Sequence, residues 1–250
     1  DWEDPTASFG MLDNATGWLK WFHGVEDTYT RKAIWIPDVA MNQHPTAFML
    51  GADPIPSQQS NILPYLLDDN ATTSLHWVLL HEMTHVLEPA SMPKLGESWA
   101  DLVPAAYYKM VMDLDIWETT KSTTNLSTIQ FFIDDYLAAG ADYQNATATG
   151  FGNYAGSAGY ALIWYIGHEF GFDVYRDGIV NIANESGVYN WDNWGVQLCT
   201  STGSNIATIF GIYNIPLTQA TTDHCAAYPE WADHPFVDSG SASGSGDKDD

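Results

Sequence analysis

Basic side chains are scarce in this chain: Lys and Arg number 8 against 32 Asp and Glu, a formal net charge of −24. Such a surface repels polyanions, so neither nucleic acid nor an anionic membrane is an expected partner. Long apolar runs are missing as well. None approaches the roughly 20 residues that cross a bilayer, and no charged stretch followed by an apolar one opens the chain. On a secreted reading, the signal peptide has already been removed. No internal repeat is present. Cysteine is reduced to two residues, Cys199 and Cys225. The sequence carries five Asn-X-Ser/Thr sequons, at Asn14, Asn70, Asn125, Asn145 and Asn184. Two distant cysteines with these sequons favour a secreted glycoprotein holding one Cys199–Cys225 disulfide, over two free buried thiols.

What the chain does have is core-forming material. Its 250 residues are 45% hydrophobic and 14% aromatic, with 11 Trp and 13 Tyr, so most of the length can bury a core. "KAIWIPDV" (32–39) and "TAFML" (46–50) read as short strands, and "DPIP" and "SQQSN" after them as turn and loop. A helix is expected over 15–22. Another begins near Leu75 behind Thr72, Thr73 and Ser74 as N-caps and ends at Glu88-Pro89. A further helix runs from about Glu97 to Met112, with Pro104 either kinking it or marking a late start. Helices are also expected over 128–139, 157–171 and 174–183, and a short one around 206–213. The rest beyond Asn184 reads as loop. The expected fold class is α+β. The expected organisation is one domain over 1–238, with an N-terminal lobe of about 1–88, a helical lobe of about 89–238, and a flexible Ser/Gly-rich tail over 239–250.

The chemistry concentrates in "LHWVLLHEMTHVLEPASMPKLGESWADL" (75–102). His81-Glu82-Met83-Thr84-His85 is H-E-x-x-H. Four residues of helix rise about 6 Å and turn slightly more than once, so both imidazoles leave one face and can share a metal ion. Glu82 lies beside that face and can accept a proton from water there. A catalytic zinc takes three protein ligands and keeps a fourth position open. The metzincin continuation, with Gly and then His after the second histidine, is excluded because Glu88 and Ser91 occupy those positions. Glu97, on the next helix, is the expected third ligand. Asp101, one turn further on, is placed to hold a ligand histidine by its other N–H. The ordinary alternative is a pair of amphipathic helices carrying satisfied polar residues. Three polar groups on otherwise apolar helices make that reading the weaker one.

"HEMTHV…GESWADL" resembles the gluzincin metalloproteases. In motif it is most similar to the plant basic secretory protein family and its microbial relatives. The resemblance is strong over about 75–105 and architectural elsewhere. It implies a zincin-like domain, a Zn²⁺ cofactor, and hydrolysis of peptide bonds in a protein or peptide substrate; the protein is expected to act as a secreted monomer. It also implies an oxyanion donor from a later helix or the loop before it. Tyr154 and Tyr160 in "GNYAGSAGYALIWYIGHEFG" are the candidates, with His168 third. By the same resemblance "TAFMLG" is a candidate substrate-pairing strand. Two alternatives stay open: a zincin-fold binding module that does not turn over, and an enhancin-like protease acting on glycoproteins. An exopeptidase would need a charged group to capture a chain terminus, and the sequence reveals none.

Overall fold

A computed structural model describes residues 6–25, 33–36, 55–58, 74–89, 93, 95–113, 126–145, 151–152 and 157–231. In chain order its elements are α1 (Thr6–Phe22), β1 (Ala33–Ile36), β2 (Ile55–Gln58), α2 (Ser74–Leu87), α3 (Glu97–Met112), α4 (Leu126–Ala138), α5 (Ala158–Phe170), α6 (Asp173–Glu185), α7 (Trp191–Thr202), α8 (Ala207–Ile212) and α9 (Gln219–Cys225). The expected α+β class is therefore corrected to mainly helical. The strand content described is one parallel pair of four-residue strands, in register from Ala33 with Ile55 to Ile36 with Gln58. β1 falls inside the run read as a strand. β2 falls where turn and loop were read, across Pro56, which deprives the ladder of a donor. The 46–50 run lies outside the described residues, as does the 239–250 tail.

The carboxyl-terminal region departs from expectation in the same direction. Residues read as loop form α7 and α9. The reason is capping, which composition hides. The Asn190 side chain accepts from the Asn193 amide, and Gly203 closes α7 in the left-handed region. Thr218 caps α9 through the Thr221 amide. Asp192 then joins the two helices, accepting from the Thr218 amide and from the hydroxyls of Thr218 and Thr221 at 2.7–2.8 Å. Cys199 and Cys225 form the disulfide between the same two helices. A closed loop of separation 26 contributes about 3.5 kcal/mol in the chain-entropy picture.

Helices α2 and α3 pack as a pair, α1 touches both, α5 packs on α3, and α6 contacts α1, α5 and α7. One apolar core runs through them, from Ala15 on α1 to Trp231. Each fully buried Leu or Phe, such as Leu19, Phe22 and Leu102, adds about 1.5–3 kcal/mol. Pro104 lies inside α3, which begins at Glu97, so it does not mark a late start. Trp99 sits at the centre, fully buried, with its ring edge-on to Tyr175 at 5.6 Å and Trp194 at 5.9 Å. Its indole N–H donates to His23 Nε2 at 3.3 Å, and His23 Nδ1–H donates to the Leu19 carbonyl at 2.9 Å. These bonds tie α3 to α1 through a neutral imidazole.

Burial lowers the His23 pKa from 6.5 to about 4, with only partial opposition from its bond to Leu19. Above pH 6.5 the ring is neutral in both folded and unfolded chains. As pH falls from 6.5 toward 4 the unfolded chain takes up a proton that the folded one refuses. His23 is therefore expected to cost about 3 kcal/mol of stability across that window. Urea unfolding at pH 7 and pH 4.5 measures it. His23→Gln should flatten the loss, and an equally steep loss in that variant would remove His23 as its source.

Candidate metal centre

Helix α2 presents His81 and His85 one turn apart, their rings edge to face with centroids 4.9 Å apart. Glu97 opens α3, where a carboxylate also suits the positive end of the helix dipole. Its oxygen Oε2 accepts from both rings, from His81 Nε2 at 2.9 Å and from His85 Nε2 at 3.2 Å. On its other side His81 turns Nδ1 to Asp101 Oδ1 at 2.9 Å. Asp101 is buried, and this contact helps offset the desolvation of its charge. Within α2, Thr84 is buried and returns its hydroxyl to the Leu80 carbonyl at 2.7 Å, so the middle of the motif faces the core. Glu82 is half-buried beside the histidines.

The entry to α3 is clamped. The Glu97 amide donates to the Gly152 carbonyl at 3.0 Å, and Gly159 at the start of α5 donates to the Phe151 carbonyl at 2.8 Å. The Ser98 and Ser157 hydroxyls meet at 2.6 Å, and Ser157 caps α5 through the Tyr160 amide. Gly96 is left-handed at φ 51°, and a Cβ there would stand 2.6 Å from the Gly152 oxygen. Gly152 and the Ser157–Gly159 start of α5 thus lie against the helix end that carries Glu97.

Electrostatics follow this geometry. Burial would lower the His81 pKa, but its bonds to Asp101 and Glu97 prevail and raise it from 6.5 to about 9. Burial likewise opposes protonation of His85, and the facing carboxylates of Glu88 and Glu97 raise it to about 10. The two histidine contacts hold Glu97 down at about 2. Without a metal the imidazoles keep their protons and donate hydrogen bonds to the carboxylates, and a cation would take the place of the two Nε2 protons. The three donor atoms all lie within 4.8 Å of one another. Tetrahedral zinc with bonds of about 2.0–2.2 Å needs donors roughly 3.3–3.6 Å apart, slightly wider than the two nitrogen–oxygen spacings of 2.9 and 3.2 Å here. Two imidazoles and one carboxylate suit zinc chemically. The side chain of Glu97 is 39% exposed, against 14% for His81 and 18% for His85, so the cluster opens toward solvent on its Glu97 side.

Of the other residues singled out from sequence, Tyr154 lies outside the described residues. Tyr160 is fully buried in the first turn of α5, within the apolar core. His168 is exposed and stacks on Trp164 at 4.7 Å. Sequence reasoning passed over Glu88, whose Oε2 lies 3.8 Å from His85 Nδ1. The signal available was its i,i+3 spacing from His85 in the last turn before Pro89.

Among the described residues no helix is long and apolar enough to cross a membrane. No protein-family model matches the chain. No curated protein matches it either. Among solved structures, a metallopeptidase from Bacteroides thetaiotaomicron is similar with a TM-score of 0.60 at 12% identity, over 93% of this chain. The match takes in 44% of that protein, so the chain spans less than half of its neighbour's length. The chain shares the fold of a part of a metallopeptidase, and within that fold it gathers a His/His/Glu cluster able to hold a metal ion.

Proposed function

We propose that the protein is a secreted, zinc-dependent endopeptidase of gluzincin type. The observation that carries the reading is the convergence of His81 Nε2, His85 Nε2 and Glu97 Oε2 with Glu82 beside them. The metallopeptidase fold of the structural neighbour supports it. Zinc in this donor set would supply Lewis acidity and a water of lowered pKa. The chain supplies the rest. His81, held on Nδ1 by Asp101, keeps Nε2 turned inward. Glu82 accepts the proton of the attacking water and delivers it to the leaving amine. The exposed Glu97 side admits an extended peptide. Tyr154 or Tyr160 donates to the carbonyl oxygen as charge develops on it. Tyr154 follows Gly152 by two positions in sequence, and Gly152 contacts the Glu97 helix, which favours Tyr154, whereas full burial of Tyr160 suits packing. Export is supported by the Cys199–Cys225 bridge and by exposed sequon asparagines at Asn14, Asn145 and Asn184.

The test is cleavage of casein by the purified protein, with and without a zinc chelator. Cleavage should stop with the chelator and return with added zinc. In the same assay, Tyr154→Phe and Tyr160→Phe separate a donor, which loses turnover without a melting shift, from a packing residue, which does the reverse. A protein that binds zinc and leaves both casein and a glycoprotein substrate intact would reject the peptidase reading in favour of a binding module.

A further inference from the structure

His81 and His85 both spend Nε2 on the same Glu97 oxygen, which leaves each Nδ1 facing away from the cluster. For His81 that atom meets Asp101. For His85 the carboxylate on that side is Glu88, with Oε2 at 3.8 Å. The Glu88 amide donates to the Thr84 carbonyl at 2.8 Å, so the helical turn continues and determines where the side chain emerges. That side chain is only 20% exposed, drawn in beside the ring rather than extended into water. Helix electrostatics do not explain its place. The last turn of a helix carries partial negative charge, and a carboxylate there is unfavourable. In a chain of net charge −24 it adds repulsion as well.

We propose that Glu88 is a positioning residue of the metal centre: its carboxylate takes the Nδ1–H of His85, so that each ligand histidine is held by a carboxylate of its own. The inference rests on the metal-site reading above. Histidines that ligate a metal nearly always donate their other N–H to an acceptor, which sets the tautomer and the ring orientation. A separation of 3.8 Å is longer than a hydrogen bond, and the flexible glutamate chain closes it by a change of torsion. The two arms are unequal. Asp101 reaches across from a buried site on α3, whereas Glu88 acts from the end of α2, the helix that carries His85.

The experiment titrates zinc into metal-free parent, Glu88→Gln and Glu88→Ala against a chromophoric chelator, and melts the metal-free proteins alongside. Cobalt(II)-loaded samples report the exchange of the ligand imidazole N–H protons by NMR. Glu88→Ala should weaken zinc binding about tenfold or more and speed exchange of one imidazole N–H. Glu88→Gln keeps an acceptor and should fall between. Metal-free melting should drop only slightly in either variant, since the lost contact with His85 is offset by removal of a charge unfavourable to the helix end. Parental zinc affinity and unchanged exchange in Glu88→Ala would overturn the assignment. A parent that takes up no zinc would overturn the metal reading itself, and this inference with it.

Discussion

Glu82→Gln is expected to lower turnover on casein by about a hundredfold or more, with zinc content and melting temperature at the parental level. Glu82 follows His81 directly on α2, half-buried, and is not one of the three donors that converge. The amide has the shape of the acid but cannot accept and return a proton. The loss should therefore appear in kcat, with KM little changed, because substrate binding does not use that proton. Glutamine at this position with a parental rate would remove Glu82 from the mechanism, whatever the metal content.

Glu97→Ala is expected to weaken zinc binding by more than about a hundredfold. Loss of an outer partner of a ligand costs roughly ten- to a hundredfold, and loss of a ligand itself should exceed that. Both histidines converge on one Glu97 oxygen, so its removal leaves two nitrogens with no third donor to close the set. In the metal-free protein the side chain also bonds both histidines, so its removal costs stability there beyond the about 0.3–1 kcal/mol of helix-dipole stabilisation. Elemental analysis after dialysis, with a melting curve of the same sample, separates the two effects. Full zinc retention by the folded variant would sink the ligand assignment.

The metal-bearing helix pair was legible because its signals are short-range. Four-residue spacings on His81/His85 and Glu97/Asp101 set shared faces, and Pro89 after Glu88 is a local stop. The contact of Asp101 with His81 in particular, rather than with His85, depends on how α2 and α3 cross, which no spacing encodes. The Cys199–Cys225 pairing followed from a count of two cysteines. Helices α7 and α9 were missed because their Asn, Thr and Ser residues read as loop by composition. Asn190 and Thr218 act there as caps, and Asp192 satisfies the start of α9 rather than a turn. The α+β class failed for a related reason. Apolar runs near the amino terminus look like strands of a sheet, but the strands described amount to one pair of four-residue segments.

The clamp at the start of α3 reaches beyond this molecule's own stability. Gly96 cannot acquire a side chain unless the Gly152 carbonyl retreats, and that carbonyl is what the Glu97 amide holds. Gly159 cannot acquire one unless the Phe151 carbonyl gives way, and Phe151 precedes Gly152. Each glycine is therefore held by a carbonyl of its own, on adjoining residues of the Phe151–Gly152 link. A relative that has lost one of them will have rebuilt the approach to its third donor, even where every residue of the H-E-x-x-H motif is unchanged.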